Sequence, residues 1–140
     1  MATLPRIVLS RVDRDHLDRV LENAGGRRDL ERLREEIERA EIVEPDEVPA
    51  DVVTMNSTVR FSDEETGEER EMTLVFPAFA DVDAGRVSVL APVGSALLGL
   101  SVGDSIDWPM PSAGERTLRV IAITYQPEAA GADLGMAPER

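Results

Sequence analysis

The sequence predicts an α+β fold: a short antiparallel helical hairpin, then an antiparallel β-sheet carrying one short helix. Three observations predict it. Apolar residues recur at helical spacing in two stretches before residue 41, split by Gly25-Gly26. Apolar and polar residues alternate in several short runs after residue 56. Between those runs lies "PVGSALLG", residues 92–99, with proline at its start and glycine at its end, the asymmetry of a short helix.

The elements follow in order. "LPRIVL", residues 4–9, reads as a short strand. Ser10 suits a helix N-cap, and Asp13 three residues on suits a capping box. Leu17, Val20, Leu21 and Ala24 then repeat at helical spacing, and Gly25-Gly26 stops the helix. Leu30, Leu33, Ile37 and Ala40 form the a/d seam of a second helix, as in a coiled coil. Its flanks offer the four-apart pairs Arg32 with Glu36 and Glu35 with Arg39, each worth about 0.2–0.5 kcal/mol. Two such helices of about 14 residues fold back on each other and span about 20 Å at 1.5 Å per residue. Such a hairpin packs for stability alone, or it also projects its tip toward a partner.

"EIVEPDEVPADVV", residues 41–53, reads as a linker, because Pro45 and Pro49 end helical structure and the acids keep it solvated. The expected boundary lies near Val48, giving a hairpin domain at 1–48 and a sheet domain at 49–140. In the second, "STVRF" points Val59 and Phe61 inward. "SDEETGEER" turns near Gly67, and "EMTLVFP" returns with Met72, Leu74 and Phe76 on one face. "GRVSVLAP", "GDSIDWPM" and "RTLRVIAITY" supply further strands. Leu97, Leu98 and Val93 are expected to plug the open face of a curved sheet. The corner at Pro92–Gly94 is expected to be rigid and exposed. The tail, "QPEAAGADLGMAPER", residues 126–140, is expected to be mobile.

Composition bounds the function. The 140 residues carry a net charge of −13 and no cysteine. Disulfides, thiol catalysis and thiolate metal sites are excluded, and a cytoplasmic location is expected from the lack of a signal sequence. No run is long enough for a membrane span. The acidic surface disfavours direct nucleic-acid binding and favours a basic protein partner. All 15 basic residues are arginine. His16, expected on the exposed side of the first helix, cannot build a typical zinc site alone. No nucleophile elbow, phosphate loop or dinucleotide pattern is present. The acidic run 63–71 lacks calcium-ligand spacing. No catalytic residue, metal ligand or cofactor is assigned.

The stretch "VSVLAPVGSALLGLSVGDSIDW", residues 87–108, resembles the C-terminal domain of Gre-type transcript cleavage factors. "DVVTMNSTVRF" at 51–61, "LVFPA" at 74–78 and "YQPEAAG" at 125–131 resemble the Rnk family, regulators of nucleoside diphosphate kinase related to Gre factors. The resemblance implies an FKBP-like sheet domain and binding to bacterial RNA polymerase near its secondary channel. It places polymerase docking on Ala91, Pro92, Val93 and Gly94. Ala91 stands where many Gre factors have serine, so a hydroxyl contact there is lost. Prolyl isomerase activity does not follow from the fold, and aromatics are only 4% of the chain. The resemblance also implies that a long coiled coil carries acids to the channel floor to help hold magnesium. Here the tip reads "ENAGGRRDLE": Glu22, Asp29 and Glu31 stand beside Arg27 and Arg28, which oppose a divalent cation, and the arms are short. The expected role is therefore a non-enzymatic regulator that competes with Gre factors without stimulating RNA cleavage. The alternative is a cleavage-stimulating factor acting through the tip acids. A third, direct binding to nucleoside diphosphate kinase, takes the family name literally, and an indirect effect is favoured over it.

Overall fold

The computed structural model describes residues 5–110 and 114–131. Strand β1 (Val8–Ser10) leads into helix α1 (Arg11–Ala24). The Ser10 Oγ accepts the Asp13 N–H at 3.0 Å, so the predicted N-cap forms. The Asp13 side chain does not return to complete a capping box; it turns into the protein. Gly25 closes α1 at φ 72°, and its N–H bonds the Glu22 carbonyl.

A tight turn at Arg28–Leu30 precedes α2 (Glu31–Arg39), which has nine residues rather than about 14. Arg34 ties the helices together by donating to the Leu21 carbonyl at 3.3 Å and to the Gly25 carbonyl. Neither expected four-apart ion pair forms. Arg39 pairs instead with Glu36 at 2.7 Å, and Arg32 leaves the helix surface for the sheet.

The stretch read as a solvated linker is built. Strand β2 (Glu41–Val43) pairs parallel with β1, and a turn at Pro45–Glu47 closes with a capping box between Glu44 and Glu47. Its acids are exposed, while Val48 and Val52 pack with Val8 and Val43 in a small cluster.

Strands β3 (Thr58–Asp63) and β4 (Glu69–Val75) form a hairpin, followed by β5 (Arg86–Ser88), helix α3 (Pro92–Leu97), β6 (Ser105–Met110) and β7 (Gly114–Tyr125). The sheet order is β5-β4-β3-β7-β6. It is mixed, not wholly antiparallel: β5 runs parallel to β4 after a crossover through residues 76–85. Two register shifts of β3 against β7 add twist and curl the sheet. The tail read as mobile continues as α4 (Pro127–Ala130), capped by Gln126. Gln126 also donates to the Pro49 and Val52 carbonyls at 2.8 Å each. Residues 132–140 lie outside the described residues.

One apolar core joins both halves. Leu17, Leu21, Leu30, Leu33 and Ile37 of the hairpin belong to the same buried cluster as Val59, Leu74, Leu97, Leu98, Trp108 and Val120. The hairpin seam thus packs toward the sheet domain as well as across the helix pair, which brings the hairpin turn against the body instead of sending it outward. At the hairpin base, Gly99 has φ 79°, and a Cβ there would fall 2.3 Å from Ile7 Cγ2, so only glycine lets β1 approach this closely. His16 is half-buried, not exposed, with its ring edge-on to Phe76 at 5.7 Å.

Candidate partner-docking face

The Pro92 corner is held by short-range bonds. The Ser88 Oγ accepts the Leu90 N–H at 3.0 Å, and the Ser88 carbonyl accepts the Ala91 N–H at 3.0 Å. Inside α3 the Ser95 hydroxyl donates to the Val89 carbonyl at 2.7 Å. Gly94 is buried beneath the corner: a Cβ there would lie 2.3 Å from the Ser88 carbonyl oxygen. Ala91, Pro92 and Val93 are partly exposed above it. Gly94 therefore shapes the corner, and the other three present it.

The hairpin turn faces this corner across a cleft of about 730 Å³. Arg27, Arg28, Asp29 and Glu31 line one wall; Ala91 and Pro92 line the other. Glu22 is exposed but not on the cleft, and Val93 lies on the far side of the ridge. Residues that sequence reasoning missed complete the cleft, chiefly Arg32, Glu35, Trp108 and Met110. The Arg32 guanidinium lies 4.5 Å from the Trp108 ring centroid and donates to the Asp107 carbonyl at 3.0 Å. This stack fixes the start of α2 on strand β6. The alternation in "SIDWPM" could have signalled an inward Trp108, but not the arginine above it.

Charge at the turn is partly cancelled internally. Arg27 holds Asp29 with bonds of 2.7 and 3.2 Å. Hydrogen bonding from Arg27 lowers the Asp29 carboxyl below its ordinary range, and the same bond raises the Arg27 guanidinium. No group of three or more acidic or histidine side chains among the described residues converges as a metal site.

A second polar constellation lies where α1, the 53–57 loop and α4 meet. Asp13 is 2% exposed and accepts the Met55 N–H at 3.1 Å. Glu128 accepts the Thr54 hydroxyl at 2.7 Å, and Thr54 bonds the Ser57 hydroxyl at 2.8 Å. Burial, then the charge of Glu128, pushes the Asp13 carboxyl up to about 7 against the Met55 bond. Burial also raises Glu128, opposed by Thr54. Among the described residues no cation pairs with either carboxylate. This joint connects "SRVD", "TMNS" and "YQPE", motifs scattered in the sequence.

By comparison with known proteins, this short helical hairpin on a curled mixed sheet is a Gre-related protein. The family model described as Transcription elongation factor, GreA/GreB, C-term matches residues 47–125, and that described as Rnk N-terminus matches residues 5–43. The chain belongs to the Rnk family, related to the Gre factors. It is 45% identical over 129 residues to Regulator of nucleoside diphosphate kinase of Escherichia coli K12, covering 91% of this chain and 95% of that protein. It is 34% identical over 94 residues to Transcription elongation factor GreA of Beijerinckia indica, covering 67% of this chain but 59% of that one. A solved structure, the prokaryotic transcription elongation factor GreA/GreB from Nitrosomonas europaea, superposes with a TM-score of 0.70 at 46% identity, over 86% of this chain and 99% of that chain. Among the described residues no helix is long and apolar enough to cross a membrane.

Proposed function

We propose that this protein is a cytoplasmic, non-enzymatic regulator that docks on bacterial RNA polymerase beside the secondary channel and occupies a site Gre factors use, without stimulating RNA cleavage. Residues 49–140 act as the docking body, an FKBP-like module, and residues 1–48 as a short helical arm. The observation that carries the proposal is the posture of the hairpin. The start of α2 is fixed on strand β6 by Arg32 and Trp108, so that the turn faces the Pro92 corner across the cleft. An arm held there widens the docking face and does not probe a pore.

Two of the three tip carboxylates support the same conclusion, and the third, Glu31, faces a cleft that also holds Arg28 and Arg32. Asp29 is engaged by Arg27, and Glu22 stands away from the cleft. The relation to nucleoside diphosphate kinase, named in the Escherichia coli relative, is then an indirect consequence of transcription.

Competition on purified RNA polymerase tests the proposal. The parent chain is expected to displace a Gre factor, and a Val93→Asp variant, altered at a partly exposed position, to lose at least tenfold in competition while remaining folded. A backtracked-complex assay run beside it is expected to give no magnesium-dependent RNA shortening. Undiminished competition by Val93→Asp would reject the docking corner, and RNA shortening would reject the non-cleaving role.

A further inference from the structure

The Ala91–Pro92 corner is a ridge between two hollows. On the hairpin side is the charged cleft. On the sheet side is an apolar pocket of about 420 Å³, lined by Phe61, Met72, Val82, Val87 and Val93 among others. Ala91, Pro92 and Met110 line both hollows. Val82, on the pocket rim, is 86% exposed, so an apolar side chain there meets water in the free protein. The ridge itself is stiff, because Gly94 is buried against Ser88 and α3 is pinned to Val89.

The hollows differ in chemistry. Within the cleft Arg27 is paired with Asp29, and Arg32 is committed to Trp108 and the Asp107 carbonyl. That leaves Arg28 on the turn, and Glu31 and Glu35 one turn apart on α2, without ion pairs among the described residues. The three arginines and three carboxylates of the cleft balance in formal charge, but Arg32 is stacked on Trp108 while Glu31 and Glu35 are exposed without an ion-pair partner among the described residues, and the chain as a whole carries −13. The far field therefore draws a cation, and Glu31 and Glu35 are the carboxylates open to receive it.

We infer that a single element of the polymerase surface straddles the Pro92 ridge, seating an apolar side chain in the sheet pocket and a lysine or arginine in the cleft against Glu31 and Glu35. This rests on the docking proposal above and adds the chemistry of the partner and the direct role of α2. The hairpin is then one jaw of the docking site. An apolar anchor in a pocket flanked by a charged contact is a common energetic pattern of protein interfaces.

The test is direct binding of the full chain to purified RNA polymerase at two salt concentrations, using exposed positions. Val82→Asp is expected to weaken binding at least tenfold. The double reversal Glu31→Arg, Glu35→Arg is expected to do the same and to flatten the salt dependence. Arg28→Glu is expected to bind at least as tightly as the parent. Circular dichroism and thermal unfolding check that each variant is folded. A Glu31→Arg, Glu35→Arg chain that binds as well as or better than the parent overturns the inference, as does an Arg28→Glu chain that binds more weakly. If Val93→Asp weakens binding and these charge variants do not follow the expected signs, only the straddling mode is lost. If the parent fails to bind, or Val93→Asp binds unchanged, the docking proposal itself is lost.

Discussion

Substituting Asp13 tests the buried joint between hairpin and sheet domain. Its carboxyl ordinarily titrates near 3.8, and in the folded chain burial and Glu128 push it up to about 7. The native state therefore binds this proton more tightly than the unfolded state does. For such a group the stabilisation is fully present at low pH, is lost as pH rises through about 4 to 7, and stays lost above. Within that window the loss runs at about 1.4 kcal/mol per pH unit, and it reaches about 4 kcal/mol by pH 8.

Asp13→Asn cannot ionise, yet its side-chain oxygen can still accept the Met55 N–H. The variant is expected to match the parent near pH 4 and to exceed it at pH 8. At about 3 °C per kcal/mol for a chain of this size, the gain in Tm at pH 8 is about 10 °C. Thermal unfolding followed by circular dichroism, at matched salt from pH 4 to 8.5, reads this directly. Both chains share the general repulsion of an acidic surface, so their difference isolates the buried site. An Asp13→Asn chain that is less stable than the parent at pH 8, or a difference that does not grow with pH, refutes the reasoning.

Two further outcomes follow from the packing. Gly94→Ala places a Cβ 2.3 Å from the Ser88 carbonyl oxygen, a backbone atom; the strain is expected to cost about 1–3 kcal/mol in urea unfolding. Arg32→Ala removes the stack on Trp108 and one hydrogen bond to the Asp107 carbonyl, an expected loss of about 1–2 kcal/mol. Trp108 is the single tryptophan, so its emission is expected to shift to the red as the ring gains water.

Much of the architecture was legible in residue spacing, because burial imposes period. Leu17, Leu21, Leu30, Leu33 and Ile37 are the buried face of the hairpin, and Val59, Phe61, Met72 and Leu74 are inward on the sheet. What spacing leaves open is the identity of the surface that a stripe meets. The a/d seam implied a partner helix, yet it is shared with the sheet core. The direction of β5 was equally hidden, since a three-residue strand reads the same parallel or antiparallel. Asp13 looked like a cap because Ser10 precedes it; its true contact, Met55, is 42 residues away. Arg32 and Glu36 sat at pairing distance on one helix. That local gain of about 0.2–0.5 kcal/mol is no larger than what an aromatic face offers a guanidinium, so the tertiary contact prevails. The corner and the turn were each visible as loops, but their meeting across one cleft depends on these long-range contacts.

Posture bears on mechanism as much as length does. A hairpin of this size that stood away from its body would have to bury its seam on itself, and α2 offers only Leu33 and Ile37 within its nine residues. Laid against the sheet, the seam residues Leu17, Leu21, Leu30, Leu33 and Ile37 are each at most 6% exposed, and Trp108 is covered by Arg32. Lifting the arm would return part of that surface to water at about 1.5–3 kcal/mol for each large side chain. Two or three such side chains approach the lower end of the 5–15 kcal/mol that holds an ordinary domain together. A partner could raise the arm only by replacing those contacts with equally apolar ones, and the turn offers mainly arginines and carboxylates for the purpose. The proposed role therefore depends on a jaw that stays closed against the sheet while its cleft-facing carboxylates, Glu31 and Glu35, remain open to a basic partner.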